Sequence, residues 1–458
     1  MSVNLHQTLY NTTDALNVHT RAIEVVGQNI ANVNNEDYAT RKVRISANPT
    51  MTVARGNHGG TVGILDLSIV TERDAIVDRQ IVQSDMRTGK LEREAQNNEL
   101  LESLLGESFQ LNAQGALETG DDFSTKGISY ALRQFFNACS ALSANPTSSA
   151  EKLNVLSHGQ NLVDKFTYMR DRFSEMENNI DLRINDEVNE VNRLLSEIAL
   201  QTQKINDFEN PHTHTKAFEL RESRQANLER LGRLMDIAIT DDASTFTIST
   251  GGTTLLDGKR VCGTLSFNGG QFAFGTHAIA ISKGSIGGDF TTKTSRIPFM
   301  RNKINTWIEH FVTQTNGAYA SNNDGSKLFD GTDLDSFAFK ATLTNLKTSS
   351  SDANPSANDR INAVIEALTH TQNGASLEEE YRTFIIDTAQ AFNSTLHTLE
   401  GENLVHKMLT QQRENRIGVS IDSEMVNLIK SQKAFQASAK IVVLIDELLE
   451  TSINLVRR

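Results

Sequence analysis

Cysteine is almost missing from this chain of 458 residues, which carries only Cys139 and Cys262. The first sits in an apolar helical pattern and the second in a glycine-rich stretch of β character, so no disulfide framework is expected. Proline is nearly as scarce, with five in all. Together with 38% hydrophobic and 22% charged residues, this points to a folded, helix-rich chain rather than a disordered one. Long hydrophobic runs are absent. Near the end, the run from Ile441 to Ile445 stops at Asp446, far short of the roughly 20 residues a membrane span needs. Positive charge is not concentrated anywhere: 44 basic against 57 acidic residues leave a net charge of −13. That balance argues against gripping a phosphate backbone, so no nucleic-acid partner is expected. The N-terminus has no basic start followed by an apolar core, so no cleaved signal peptide is expected. Taken alone this favours the cytoplasm, with export by a route that cleaves no signal left open.

Catalytic motifs are missing as well. Neither G-x-S-x-G nor H-E-x-x-H occurs. Pro211-His212-Thr213-His214 puts two imidazoles two residues apart and would hold a metal only with a third ligand from elsewhere, so it reads as a solvated loop. Gly251-Gly252-Thr253-Thr254 lacks the spacing of a phosphate-binding loop and reads as a hairpin turn. The acidic pairs Asp121-Asp122 and Asp241-Asp242 lie in polar turns where solvated carboxylates belong. No catalytic, cofactor-binding or metal-binding residue is assigned.

What the chain does have is a pair of apolar helical seams at its two ends. In the last helix, Ile421, Met425, Leu428, Phe435, Ala439, Val442, Ile445, Leu449, Ile453 and Val456 recur every three or four residues. Near the start, Leu5, Leu9, Thr12, Leu16, His19, Ile23, Val26, Ile30 and Val33 follow the same alternation. Such narrow stripes wind helices together. A two-helix unit with one thin seam buries little surface and is marginal alone, so neighbouring copies would have to supply further contacts. The flanks are rich in amides and hydroxyls, which suits ordering on assembly.

Between the seams the length suggests about three domains. The expected fold is mainly α with a small β-rich insert: terminal coiled-coil helices, a long helical domain built from both halves of the chain, and a nested β domain. The expected boundaries are 1–45 with 415–458 for the terminal part, 46–236 with 297–414 for the helical part, and 237–296 for the insert. Asn and Asp crowd 29–37 where the first helix should stop. Arg41–Ile45 and the alternating Leu65, Leu67 and Ile69 read as strands. Long helical patterns cover about 73–105 and 148–208, and another runs from 216 to 235. Glycine, threonine and serine then dominate with short alternating runs, the signature of tight β hairpins.

At these same residues the chain resembles the flagellar axial proteins, the family of rod, hook and hook-associated subunits. The run NIANVN from Asn29, followed by Tyr38 and Arg41, is similar to that family's N-terminal signature, in which Asn29 and Asn32 are the matching amides. Asp37 stands where the family carries Gly before the Tyr. The run GVSIDSEMVNLI from Gly418, containing Glu424 and Met425, and QKAFQASAK from Gln432, resemble its C-terminal signature. The segment from Phe135 to Leu156 and the run LRESRQANLERLGRLM from Leu220 resemble the hook-associated members more than simple hook or rod subunits, whose middles are β-rich.

The resemblance implies a structural subunit, not an enzyme. It implies export through the flagellar type III apparatus and self-assembly into a ring at the hook tip. The partners it implies are hook protein, hook-associated protein 3 and a cytoplasmic export chaperone, the last covering Met425, Phe435 and Val442. A hook or distal-rod subunit, an enzyme carried on an axial scaffold, and a cytoplasmic helical adaptor remain the alternatives at this point.

Overall fold

The computed structural model describes residues 5–35, 37–47, 65–105, 127–209, 216–242, 245–320, 325–351, 353–369 and 376–456. His212, His214, Asp121 and Asp122 lie outside these residues. The chain is mainly α with small antiparallel sheets, and it separates into two compact units. One takes Met1–Val82, Glu197–Glu229 and Val405–Arg458; the other takes Gln83–Ser196 and Arg230–Leu404.

In the first unit, α1 (Leu5–Ala31) packs along α10 (Ile421–Val456). Helix α1 also rests on a hairpin of β1 (Arg41–Ala47) and β2 (Leu65–Thr71), antiparallel with Arg41 opposite Thr71. This unit includes the start of α2 (Ala75–Leu105), the end of α4 (Ser149–Phe208), the start of α5 (Phe218–Leu234) and the end of α9 (Leu377–Ile417). The corner between α4 and α5 is clamped by Glu209. Its carboxylate accepts from Arg221 Nε and Nη2 at 2.7 and 2.6 Å and from the Ala217 N–H at 2.9 Å. Those hydrogen bonds hold the Glu209 carboxyl below the usual carboxylate range, the bond from Arg221 contributing most.

In the second unit, the core of α3 (Ile128–Ala144), α4, α7 (Ile297–Tyr319), α8 (Asp359–Thr369) and α9 is aromatic. Trp307 stacks on Phe311 and Phe166 with ring centroids 5.1 and 5.6 Å apart, and its Nε1–H donates to the Leu377 carbonyl at 2.9 Å. Phe329 and Phe337, from the irregular stretch holding the two-residue strands β10 (Phe329–Asp330) and β11 (Ala338–Phe339), close the same cluster. The insert forms two sheets. One is β3 (Ala238–Asp241), β4 (Phe246–Thr250), β5 (Thr253–Asp257) and β6 (Arg260–Val261); the other is β7 (Leu265–Asn268), β8 (Gln271–Phe274) and β9 (His277–Ile279). Gly251 and Gly252, both at positive φ, turn β4 into β5, the hairpin geometry that glycine permits. Of the expected β-rich stretch 237–296, however, the last part is helical. Helix α6 (Gly284–Thr291) runs through a π-helical turn (Thr292–Arg296) into α7.

Tertiary packing overrides glycine's poor helix propensity there. A Cβ on Gly288 would lie 2.6 Å from the Lys90 carbonyl oxygen, so only glycine lets α6 approach α2 so closely. The carboxylate of Asp289, wholly buried, accepts from Arg183 Nη2 at 2.6 Å and Asn97 Nδ2 at 2.8 Å. One turn along α4 from Arg183, Glu187 takes Arg93 Nη2 and the Ser285 hydroxyl, each at 2.6 Å. Breaking a buried pair of this kind leaves an uncompensated charge, so the network fixes the register of α2, α4 and α6.

Gly89 on α2 makes a comparable approach, where a Cβ would sit 2.3 Å from the Arg233 carbonyl oxygen. In an exposed helix Gly→Ala would gain about 1 kcal/mol. Here Gly89→Ala is expected to destabilise by about 1–3 kcal/mol through overpacking, read as a lower urea midpoint. An unchanged or raised midpoint would mean the two backbones can part without cost.

Candidate assembly site at the paired termini

The signature residues converge on one buried amide. Asn29, 1% exposed, lies near the end of α1 and uses all four of its side-chain hydrogen-bonding positions. Its Oδ1 accepts from the Tyr38 hydroxyl at 2.7 Å and the Arg41 N–H at 3.1 Å. Its Nδ2 donates to the Arg41 carbonyl at 2.9 Å and to Glu424 Oε2 at 3.0 Å. Asn29 thereby binds the start of β1 to the first turn of α10, 395 residues away in sequence. Burial pushes the Tyr38 hydroxyl above its ordinary range, the Arg41 charge opposing. The phenol therefore stays protonated and keeps donating.

Neighbouring contacts extend the lock. The N–H of Thr40 donates to the Ile417 carbonyl at 2.9 Å and its hydroxyl does so at 2.5 Å, seizing the last residue of α9. Gly418 follows with its N–H on the Glu414 carbonyl at 2.7 Å. A Cβ there would stand 2.5 Å from that same oxygen, which accounts for glycine at the break between α9 and α10. The buried Arg41 guanidinium lies 5.0 Å from the Tyr38 ring centroid and 5.7 Å from that of Phe218. It donates to Gln28 Oε1 at 3.1 Å and pairs with Glu219 at 3.4 Å and Glu222 at 3.7 Å. Glu222 also accepts from the Ala39 N–H at 3.3 Å. Asn32 is peripheral, its amide donating to the Gln28 carbonyl. The Asp37 N–H donates to Asn35 Oδ1 at 3.2 Å, turning the chain ahead of Tyr38. Glu219, Glu222 and Gln28 were not singled out by sequence reasoning; their positions on unrelated helical faces carried no signal.

The seam residues divide. On α10, Ile445 is buried and Leu428, Val442 and Leu449 are half-buried, in line with the buried Glu424 and Ser438. Ile421, Met425 and Phe435 are exposed instead, at 50, 45 and 37%. With Val426, Ile429, Ile441, Val443, Leu444 and Leu448 they make a second, uncovered apolar surface on the same helix. On α1, Val26 is buried as expected, while Leu9, Leu16, Ile23 and Ile30 are only half-buried and Val33 lies just past the helix end. Val18, Ala22, Val25 and Asn29, each one residue before the expected stripe, are buried as well. The extra load on that face comes from the β1–β2 hairpin, which α1 must cover along with α10. The side chain of Leu5 lies outside the described residues.

Two outcomes test the lock. Asn29→Ala would strand the Arg41 N–H and carbonyl, the Tyr38 hydroxyl and Glu424, and is expected to cost about 3 kcal/mol or more, measured as loss of urea stability with retention of the second unit's near-ultraviolet signal from Trp307. Glu222 supplies a pH test. Burial pushes its carboxyl up, with Glu219 adding to the rise and the Ala39 N–H and Arg41 opposing. A raised carboxyl gives stability that is full below the unfolded value of about 4.3 and lost as pH rises through the folded value. Glu222→Gln removes that loss, so the variant should gain on the wild type from pH ~4 to ~7; urea midpoints that shift in parallel across this range would contradict the assignment.

A family model described as the flagellar hook-associated protein FlgK helical domain matches residues 119–334. A second, the flagellar basal body rod FlgEFG protein C-terminal, matches residues 410–455. Flagellar hook-associated protein 1 of Bacillus subtilis (strain 168) is 23% identical, with 96% of each chain aligned. The solved structure of the flagellar hook junction protein FlgK from Burkholderia pseudomallei is similar over 55% of this chain and 46% of that one, at 16% identity and a TM-score of 0.45. The chain is similar to the hook-associated protein 1 (FlgK) family over its helical part and to the axial proteins of the bacterial flagellum at its C-terminal part.

Proposed function

We propose that this chain is a structural, non-enzymatic subunit of the junction where the flagellar hook meets the filament. The observation that carries the reading is the two-sided α10. One side is occupied by α1, and the other presents Met425, Ile429, Leu444 and Leu448 to solvent. Single exposed apolar residues are ordinary, but this many large ones exposed along one helix mark an interaction surface. Copies of the chain pack through that strip into a ring at the hook tip, with hook protein below and hook-associated protein 3 above. The terminal part, 1–45 with 415–458, forms the assembly layer. The helical part, 46–236 with 297–414, and the insert at 237–296 are not part of that layer.

The chain reaches the junction through the flagellar type III apparatus without a cleaved signal. A cytoplasmic chaperone covers Met425, Phe435 and Val442 before export. Val442 is half-buried on the α1 side, so that chaperone binds α10 before α1 docks. Among the described residues no helix is long and apolar enough to cross a membrane.

The test compares two faces of one helix. Met425→Asp and Phe435→Asp alter exposed positions and are expected to leave the purified chain folded while cells make hooks without filaments and leak flagellin monomer. Ile445→Asp, at a site 4% exposed, is expected to damage the fold itself by several kcal/mol, on the order of 3–5. Normal filaments with both exposed-face variants would remove α10 as the assembly surface.

A further inference from the structure

Two Asn-Gly pairs lie within the described residues, and the structure treats them oppositely. Asn316-Gly317 sits inside α7. The Asn316 Oδ1 accepts from the N–H groups of Leu328 and Phe329 at 2.9 and 3.2 Å, and its Nδ2 donates to the Phe329 carbonyl at 2.8 Å. The Gly317 N–H belongs to the helical ladder. Asn268-Gly269 forms the tip of the β7–β8 hairpin instead. Asn268 is exposed, and its side-chain amide has no hydrogen-bond partner among the described residues. Gly269 and Gly270 turn the chain at φ +58 and +80°, and a Cβ added to either would meet nothing within 4 Å.

We propose that Asn268 is a site of spontaneous covalent modification, deamidation through a cyclic imide. The Gly269 backbone nitrogen attacks Asn268 Cγ, forming an N–C bond. The Cγ–Nδ2 bond breaks, and the side-chain nitrogen leaves as ammonia, carrying the proton lost by Gly269. Water then opens the five-membered ring at one carbonyl or the other, giving aspartate or isoaspartate with no change of oxidation state. The ring cannot close while Asn268 holds its ladder position opposite Gln271. That pair is the last one before the turn, where a hairpin frays at least cost. At Asn316 both reacting groups are engaged and three side-chain hydrogen bonds must be given up first.

The product changes the insert. Isoaspartate adds a methylene to the backbone at a two-residue turn that sets the pairing of Phe267 with Phe272 and Leu265 with Phe274. The rings of Phe267 and Phe272 stand 4.7 Å apart and both side chains are buried. Either product also places a negative charge at the hairpin tip. The site therefore ages the sheet of β7, β8 and β9.

The experiment incubates the full-length folded chain at mildly alkaline pH and physiological temperature, with a parallel sample in concentrated urea. Peptide mapping reads amide-to-acid conversion, and a protein isoaspartyl methyltransferase reports isoaspartate. In urea, Asn268 and Asn316 should convert at comparable rates. In the folded chain, conversion at Asn268 should exceed that at Asn316 by about tenfold or more, the protection a locally stable helix confers. Asn268→Gln should abolish the signal from that peptide. Equal protection of both residues in the folded chain, or faster conversion at Asn316, would overturn the assignment.

Discussion

A single side-chain amide ties the end of α1 to the start of β1 and to the first turn of α10. Asn29 is small enough to sit under Tyr38, long enough to reach Glu424, and has two acceptor positions and two donor hydrogens, all of them used. An acid could not donate to Glu424 and an aliphatic residue could offer nothing, while leaving the groups around it unpaired in the interior. From that point the rest of the first unit follows. Strand β1 leaves in a defined direction, α10 begins where Glu424 is held, and Thr40 stops α9 at Ile417. Arg41 is then sealed between Tyr38, Phe218 and two carboxylates.

The second unit depends on a different constraint. Its helices are long and polar on one side, and several of the surfaces they share are made close by glycine rather than by large apolar side chains. Gly89, Gly284 and Gly288 each meet backbone atoms within 2.3–2.6 Å of where a Cβ would stand. Into the space so tightened go Asp289, Arg183, Asn97, Glu187 and Arg93, each answering another's charge or hydrogen. Burial drives Glu187 above the usual carboxylate range, while the Ser285 hydroxyl and Arg93 pull it back. Such a network contributes register more surely than it contributes stability.

The proposed role in assembly rests on the two apolar faces of α10. A helix with one apolar stripe finishes its packing inside its own chain. A helix with two keeps a surface for something outside it, and the polar residues on the inner side show how that is arranged. Glu424, Ser431 and Ser438 occupy inner positions that an isolated coiled coil would give to leucine. The small Ser431 and Ser438 let α1 lie close beside Leu428, Val442 and Ile445, while Ile429, Leu444 and Leu448 face outside.

Much of this was legible in the sequence. The periodicity of 148–208, the alternation at Leu65 to Ile69 and the glycine-punctuated hairpins determined most elements, because a helix of 60 residues or a two-residue turn is a local matter. The terminal signatures marked Asn29, Tyr38, Arg41 and Glu424 as important. What the sequence by itself could not determine was which side of each terminal helix faces inward. Apolar spacing favoured Met425 over Glu424 because hydrophobicity counts Glu as an outside residue, and only Asn29, brought close across the whole chain, makes Glu424 an inside one. The same holds for 284–296, where local propensity argued against a helix and the close approach of α2 permitted it. Tertiary structure decided those points because they turn on partners hundreds of residues away, and no window along the chain contains both.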